Sequence, residues 1–147
     1  MFHNIIKQVT QKLMLVSLLA TPVAWADNGQ IVLTLDGVKS ATGKLRASLY
    51  QLPETFRKED KALKVINVPA VEGKTQVTFK DLPPGRYAIM AYHDEDANER
   101  LKLRFGMFPL EGYGLSNNPK VMGPPKFADS AFEHAGSTTN ITIPLTY

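Results

Sequence analysis

The chain has 147 residues, 17 Lys and Arg against 14 Asp and Glu, no Cys, and a hydrophobic fraction of 44%. That is one domain's worth of a globular chain. It excludes a disulfide scaffold, thiol catalysis and thiolate metal ligation. Part of the net charge of +3 belongs to the first residues. Residues 1–26 carry Lys7 and Lys12 without an acid, then the apolar run Leu13-Met14-Leu15-Val16-Ser17-Leu18-Leu19-Ala20, then Pro22 and Ala24-Trp25-Ala26. This is the order of a secretory signal peptide. The apolar run is too short for the roughly 20 residues of a bilayer span. A mature domain at 27–147 keeps 15 bases against 14 acids once Lys7 and Lys12 are set aside. Near neutrality sets nucleic acid aside as a partner, and no later segment is apolar enough to be transmembrane. The expected location is periplasmic or secreted.

A period of two dominates the mature chain and predicts strands. Ile31, Leu33 and Leu35 alternate with Val32, Thr34 and Asp36, and Asp36-Gly37 signals a turn. Leu45, Ala47 and Leu49 alternate with Arg46, Ser48 and Tyr50. Residues 56–63 read as one or two helical turns or a charged loop. The β-branched run through Val65, Ile66, Val68 and Val71 reads as a strand interrupted by Pro69. Val77 and Phe79 alternate with polar neighbours up to the turn Asp81-Leu82-Pro83-Pro84-Gly85. Tyr87-Ala88-Ile89-Met90-Ala91-Tyr92 is apolar on both faces, as a covered central strand is. Ile141, Ile143, Leu145 and Tyr147 close the chain as a strand, with Pro144 placing it at an edge or a bulge.

Residues 93–138 lack this pattern. They are rich in Gly, Pro and Asn, yet they carry Leu101, Leu103, Phe105, Met107, Phe108, Leu115 and Phe127. A disordered linker does not hold so many large apolar groups. An ordered excursion packing onto a sheet is expected, and long ordered loops are often functional. The fold class expected is all-β: a small antiparallel β-sandwich of about seven strands with a long ordered loop excursion at 93–138.

Two constellations carry chemistry. In His93-Asp94-Glu95-Asp96-Ala97-Asn98-Glu99, the residues Asp94, Asp96 and Asn98 take alternate positions, as in oxygen-rich calcium loops. Glu99 stands where such loops place Gly, and Lys102 where a later acid belongs. The competing reading is a solvated acidic turn bonded to its own backbone, its acids neutralised by Arg100, Lys102 and Arg104. His93 beside these acids is a candidate metal ligand or general base. In Glu111-Gly112-Tyr113-Gly114-Leu115-Ser116-Asn117-Asn118, two Gly permit unusual angles and close approach. Glu111, Tyr113, Ser116 and Asn117, with His93, are the candidate ligand-binding residues for a small molecule, sugar or peptide. The same stretch also reads as a tight structural loop. Ser116 lacks the second Gly of a nucleophile elbow. Tyr50, Tyr92, Tyr113 and Tyr147 are expected to be half-buried packing residues.

The motif D-L-P-P-G-R-Y-A-I-M-A-Y-H-D at 81–94, the loop at 94–99, F-G-x-x-P-x-E-G-Y-G-x-S-N-N at 105–118, and the later P-K-F and A-F-E carry a resemblance across nearly the whole mature chain. The chain resembles the uncharacterised bacterial secreted family catalogued as domain of unknown function 2141. The resemblance implies an exported single-domain sandwich of immunoglobulin or transthyretin-like type, with no established activity. In that family N-G-K-L-D commonly follows the H-D-E-N run. Here the stretch is Asn98-Glu99-Arg100-Leu101-Lys102, with Glu99 for the Gly and Lys102 for the Asp. Asp94, Asp96 and Asn98 still match the pattern. Glu111, Tyr113, Ser116 and Asn117 match the second motif, for which the family assigns no role. Three functions remain open. The leading one is a non-enzymatic binding or accessory module without a cofactor. The others are a hydrolase-like enzyme using His93, Asp94 and Glu111, and a structural domain with a stabilising calcium loop.

Overall fold

A computed structural model describes residues 28–147; the expected leader at 1–26 lies outside the described residues. In chain order the strands are β1 (Gly29–Val38), β2 (Lys44–Tyr50), β3 (Lys64–Pro69), β4 (Gly73–Leu82), β5 (Gly85–Asp94), β6 (Leu103–Arg104), β7 (Phe108–Pro109), β8 (Tyr113–Leu115), β9 (Phe132–His134) and β10 (Thr138–Pro144). A 3₁₀ turn at Glu59–Lys61 and a one-turn helix, α1 (Phe127–Ser130), complete the described elements. The 56–63 segment is loop with a single 3₁₀ turn, within the alternatives expected for it, and Pro69 ends β3 rather than interrupting it.

Two sheets face each other. One has the order β10-β1-β4; the other has β3-β2-β5-β8, with β9 also pairing with β5. The alternation in each strand decides what lies between them. Ile31, Leu33 and Leu35 of β1 meet Leu45, Ala47 and Leu49 of β2 and Tyr87, Ile89 and Ala91 of β5 in one core cluster, joined by Phe79 and Ile143. Most of these side chains are fully buried, each stabilising the sandwich by about 1.5–3 kcal/mol for the larger ones. β5 is buried on its other face too, as its unbroken apolar run predicts.

The pairing departs from an all-antiparallel sandwich at one place: β10 runs parallel to β1. The reason lies just upstream. β9 pairs with the start of β5 in the opposite sheet, and the chain then crosses beside the start of β1, where Gln30 N–H donates to Ser137 O at 2.9 Å. The passage is so close that a Cβ on Gly29 would sit 2.0 Å from Ser137 O. Entering at the start of β1, β10 has no course but parallel. It occupies the sheet edge, where Pro144 needs no donor.

The 93–138 excursion is ordered and partly sheet. β8 pairs with Met90–Tyr92 through Leu115 to Tyr113, and β9 pairs with Gly85–Tyr87. Between β5 and β8 the chain makes a separate hairpin, β6–β7. Among the described residues no helix is long and apolar enough to cross a membrane.

Candidate functional site

The outer face of the second sheet positions the site. Period two turns Leu45, Ala47 and Leu49 inward, so Arg46, Ser48 and Tyr50 face out; Ala88, Met90 and Tyr92 do the same on β5. Two segments cover this face. Residues 51–63 bring Phe56 edge-on to Tyr50, with centroids 5.4 Å apart, and to Phe127 at 5.9 Å. The excursion covers the other side. A cleft of about 860 Å³ remains between them. Tyr50, Met90, Tyr92, Tyr113 and Leu115 line it from the sheet. Leu101, Leu103, Met107 and Phe108 line it from the excursion, and Arg57, Glu59, Glu99 and Arg100 supply charge. A mostly apolar concavity of this size with a few charged groups has the character of a small-molecule site.

Beneath the cleft lies a polar knot. Arg46 Nη2 is 2.6 Å from Glu59 Oε1, and its Nε donates to the same oxygen at 3.1 Å. Ser48 Oγ donates to Glu59 Oε2 at 3.1 Å, and Tyr92 OH to Oε1 at 3.5 Å. Glu99 approaches Arg46 from the excursion, at 3.3 Å from Nη1. Burial disfavours the Arg46 cation, but the hydrogen bond to and charge of Glu59 outweigh it and hold the guanidinium above its usual range. Burial, helped by the charge of Glu59, pushes the Tyr92 phenol well up. Burial pushes Tyr50 up to about 12, against an opposing Ser48 hydrogen bond. Both phenols stay neutral donors at any physiological pH. Arg57 and Glu99 both hold left-handed backbone angles, with φ of 65° and 63°. Non-glycine residues in that region concentrate at functional sites.

The acids of the 94–99 loop form a clasp. Asp94 is fully buried; its Oδ1 accepts from Asn98 N–H at 3.0 Å and its Oδ2 from Glu99 N–H at 2.8 Å. Glu111, also buried, accepts from Glu95 N–H at 3.1 Å and from Lys102 N–H at 2.9 Å. Asn98 Oδ1 accepts from Arg100 N–H at 2.8 Å. Asp96 is ion-paired with Lys102 Nζ at 2.7 Å, which holds its carboxyl below the usual range. The acids thus tie the first turn of the excursion to the residue that opens its return. Asp94, Asp96 and Glu111 do converge, with one oxygen from each within 4.8 Å of the others. Each of those carboxylates already has an N–H or ammonium partner.

The remaining sequence candidates sit elsewhere. His93 is fully buried. Alternation puts it on the inter-sheet side of β5, opposite to Asp94. Its Nδ1 lies 2.7 Å from Tyr147 OH and its Nε2 2.6 Å from Thr42 O. The structure brings Asp94 to Glu111 and leaves His93 in the core. Ser116 is buried as well; its Oγ accepts from Ile89 N–H at 2.9 Å and donates to Ser130 O. Asn117, at φ 63°, donates through Nδ2 to Ala131 O at 2.7 Å. Ser116 closes the excursion against β5, and Asn117 ties it to its own later part just ahead of β9. The two Gly of the motif serve close approach and keep ordinary angles. A Cβ at Gly112 would stand 2.4 Å from the Tyr147 ring, and one at Gly114 2.4 Å from Ile143 Cγ2. Of the five ligand-binding candidates, Tyr113 alone lines the cleft.

Arg57 and Glu59 line the cleft, and Arg46 anchors Glu59 beneath it, from outside the motifs; Met90 and Glu99 lie within the motifs but are not among the candidate binding residues. One signal in the sequence was available: Arg46 and Ser48 hold outward positions on a strand whose flanking segments are apolar enough to cover it. The profile of a family described as "Uncharacterized protein conserved in bacteria (DUF2141)" matches residues 33–142. No curated protein and no solved structure matches the chain. The match spans both sheets, the clasp and the cleft, and the chain belongs to that family.

Proposed function

We propose that this chain is an exported, non-enzymatic binding or accessory module that takes a small amphipathic molecule into the cleft on the outer face of the second sheet. The observation that carries the reading is the cleft itself. It is formed by two segments added outside a sandwich whose core is complete without them, and its apolar walls converge on Arg57, Glu59, Glu99 and Arg100. An apolar ligand body gains from burial against Met90, Leu103 and Phe108. A polar end matches the tyrosine hydroxyls and the charges. Export is supported by the leader read at 1–26, and the location proposed is periplasmic or secreted.

The test uses anilinonaphthalene sulfonate, an apolar fluorophore with an anionic end, titrated against the purified protein. One saturable site is expected. Leu103→Asp places a charge in the apolar wall at a half-exposed position and is expected to weaken binding about tenfold with the melting temperature unchanged. Absence of saturable binding, or equal binding to the variant, would overturn the reading.

A further inference from the structure

The β6–β7 hairpin has a tip that does nothing for its own fold. Leu103 pairs with Pro109 and Arg104 with Phe108, leaving Phe105, Gly106 and Met107 as a three-residue loop; within it, Met107 N–H donates to Arg104 O at 3.2 Å and closes a β-turn centred on Phe105 and Gly106. Their φ angles, 55° and 68°, are both left-handed, the signature of a type I′ turn. Such turns take Asn or Asp at the first position because those side chains tolerate the angle. Here a Phe stands there, strained, with 77% of its surface exposed. Met107 and Phe108 beside it are 69% and 60% exposed. Met122, on the neighbouring loop, is fully exposed. Both loops rim the cleft, through Gly106, Met107 and Phe108 on one side and Gly123 and Pro124 on the other. A strained aromatic left mostly exposed points to something outside.

The charge around the tip says what. Arg104 lies over the Phe105 ring at 5.2 Å, Arg100 lines the cleft with Met107, and Lys120 and Lys126 flank Met122 in sequence; none of the four forms an ion pair among the described residues. The lone acid between 100 and 126 is Glu111, buried on backbone N–H groups. Exposed Phe and Met flanked by unneutralised cations match a surface with anionic headgroups above an apolar layer. The geometry points to an anionic lipid surface as the partner of this tip: Phe105, Met107 and Met122 enter the headgroup–acyl boundary while Arg100, Arg104 and Lys120 meet the phosphates. The attachment is peripheral. It shares Arg100 and Met107 with the cleft wall but uses none of the sheet residues of its floor, and it sets the cleft mouth against the bilayer.

The test is co-sedimentation of the purified protein with vesicles of phosphatidylcholine alone and of phosphatidylcholine mixed with phosphatidylglycerol. Binding is expected to the anionic vesicles only, and to fall as salt is raised. Phe105→Asn restores the residue that the turn prefers, so it keeps or raises the melting temperature. It is expected to lower the partition coefficient about tenfold. Arg104→Glu is expected to lower it further, and both variants are expected to bind the fluorophore of the cleft test as the parent does. Failure to bind anionic vesicles, equal binding to both vesicle types, or unchanged binding by Phe105→Asn would each overturn the assignment, whatever the cleft test returns. Binding of an acidic peptide at the tip, with vesicles unbound, would move the partner to a protein.

Discussion

Glu99 Oε1 lies 3.3 Å from Arg46 Nη1 while Glu99 itself holds a φ of 63°. A side chain with a Cβ is thus kept in a backbone region that favours glycine, and its carboxylate is delivered to the edge of the cleft. The Glu99 side chain is 60% exposed, so the pair with Arg46 contributes little to stability.

Glu99→Gly is therefore expected to stabilise the fold. Relief of the left-handed strain, about 1–2 kcal/mol, exceeds the lost pair and the added chain entropy, for a net gain of about 0.5–1 kcal/mol. Glu99→Ala keeps the Cβ and is expected to gain nothing. Thermal melts of the two variants beside the parent check this. A destabilised Glu99→Gly protein would show that the pair, not the strain, dominates.

The Glu111 carboxylate closes the excursion by accepting two backbone N–H groups, from Glu95 and Lys102. Glu111→Ala leaves both donors unsatisfied and is expected to cost about 2–3 kcal/mol. Glu111→Gln keeps one acceptor oxygen and is expected to cost about half as much. Amide exchange at Glu95 and Lys102 is expected to rise in both variants. Denaturant titration gives the energies, and protected amides at those positions in the Ala variant would remove Glu111 from this role.

Calcium is expected to leave the melting temperature where chelator leaves it, even at about 10 mM, a level that fills weak extracellular modules. Asp94 and Glu111 are engaged by backbone donors, and the Lys102 ammonium holds Asp96. A calcium-specific rise lost in Asp96→Ala would instead assign a cation to the three converging carboxylates.

Tyr50 gives the pH dependence. Burial, opposed by a Ser48 hydrogen bond, raises its phenol from 10.0 to about 12. The fold favours the neutral form, so the contribution of Tyr50 is fully present below pH 10 and is lost as pH rises toward 12. Tyr92 shifts in the same direction. Unfolding free energy is expected to decline over that interval, and Tyr50→Phe is expected to make the decline shallower. An identical slope in the variant would rule Tyr50 out as a source.

How much was legible differs by element. The strands around Ile31–Leu35, Leu45–Leu49, Val77–Phe79 and Ile141–Leu145 were readable because a one-sided strand writes its burial into alternate residues. The double burial of β5 was readable from its unbroken apolar run, and the edge position of β10 from Pro144. β8 and β9 carry no such alternation. β8 reaches β5 because Gly112 and Gly114 let the chain pass under Tyr147 and Ile143, and Ser116 and Asn117 fasten it to Ser130 and Ala131 just ahead of β9. Those contacts join residues far apart in sequence.

The same division holds for the site. Residue types and spacing alone determined an all-β domain and an ordered apolar excursion, and they singled out an acidic loop and an E-G-Y-G stretch as two separate constellations. The tertiary structure alone decided that Asp94 and Glu111 share a clasp while His93 turns to the core. It also decided that Arg46 and Glu59 pair beneath a cleft, and that Phe105 stands at an exposed turn. Local patterning records which face of a strand is buried. A cleft is assembled from segments with no sequence relation to one another, so its walls exist only once the chain has closed over itself.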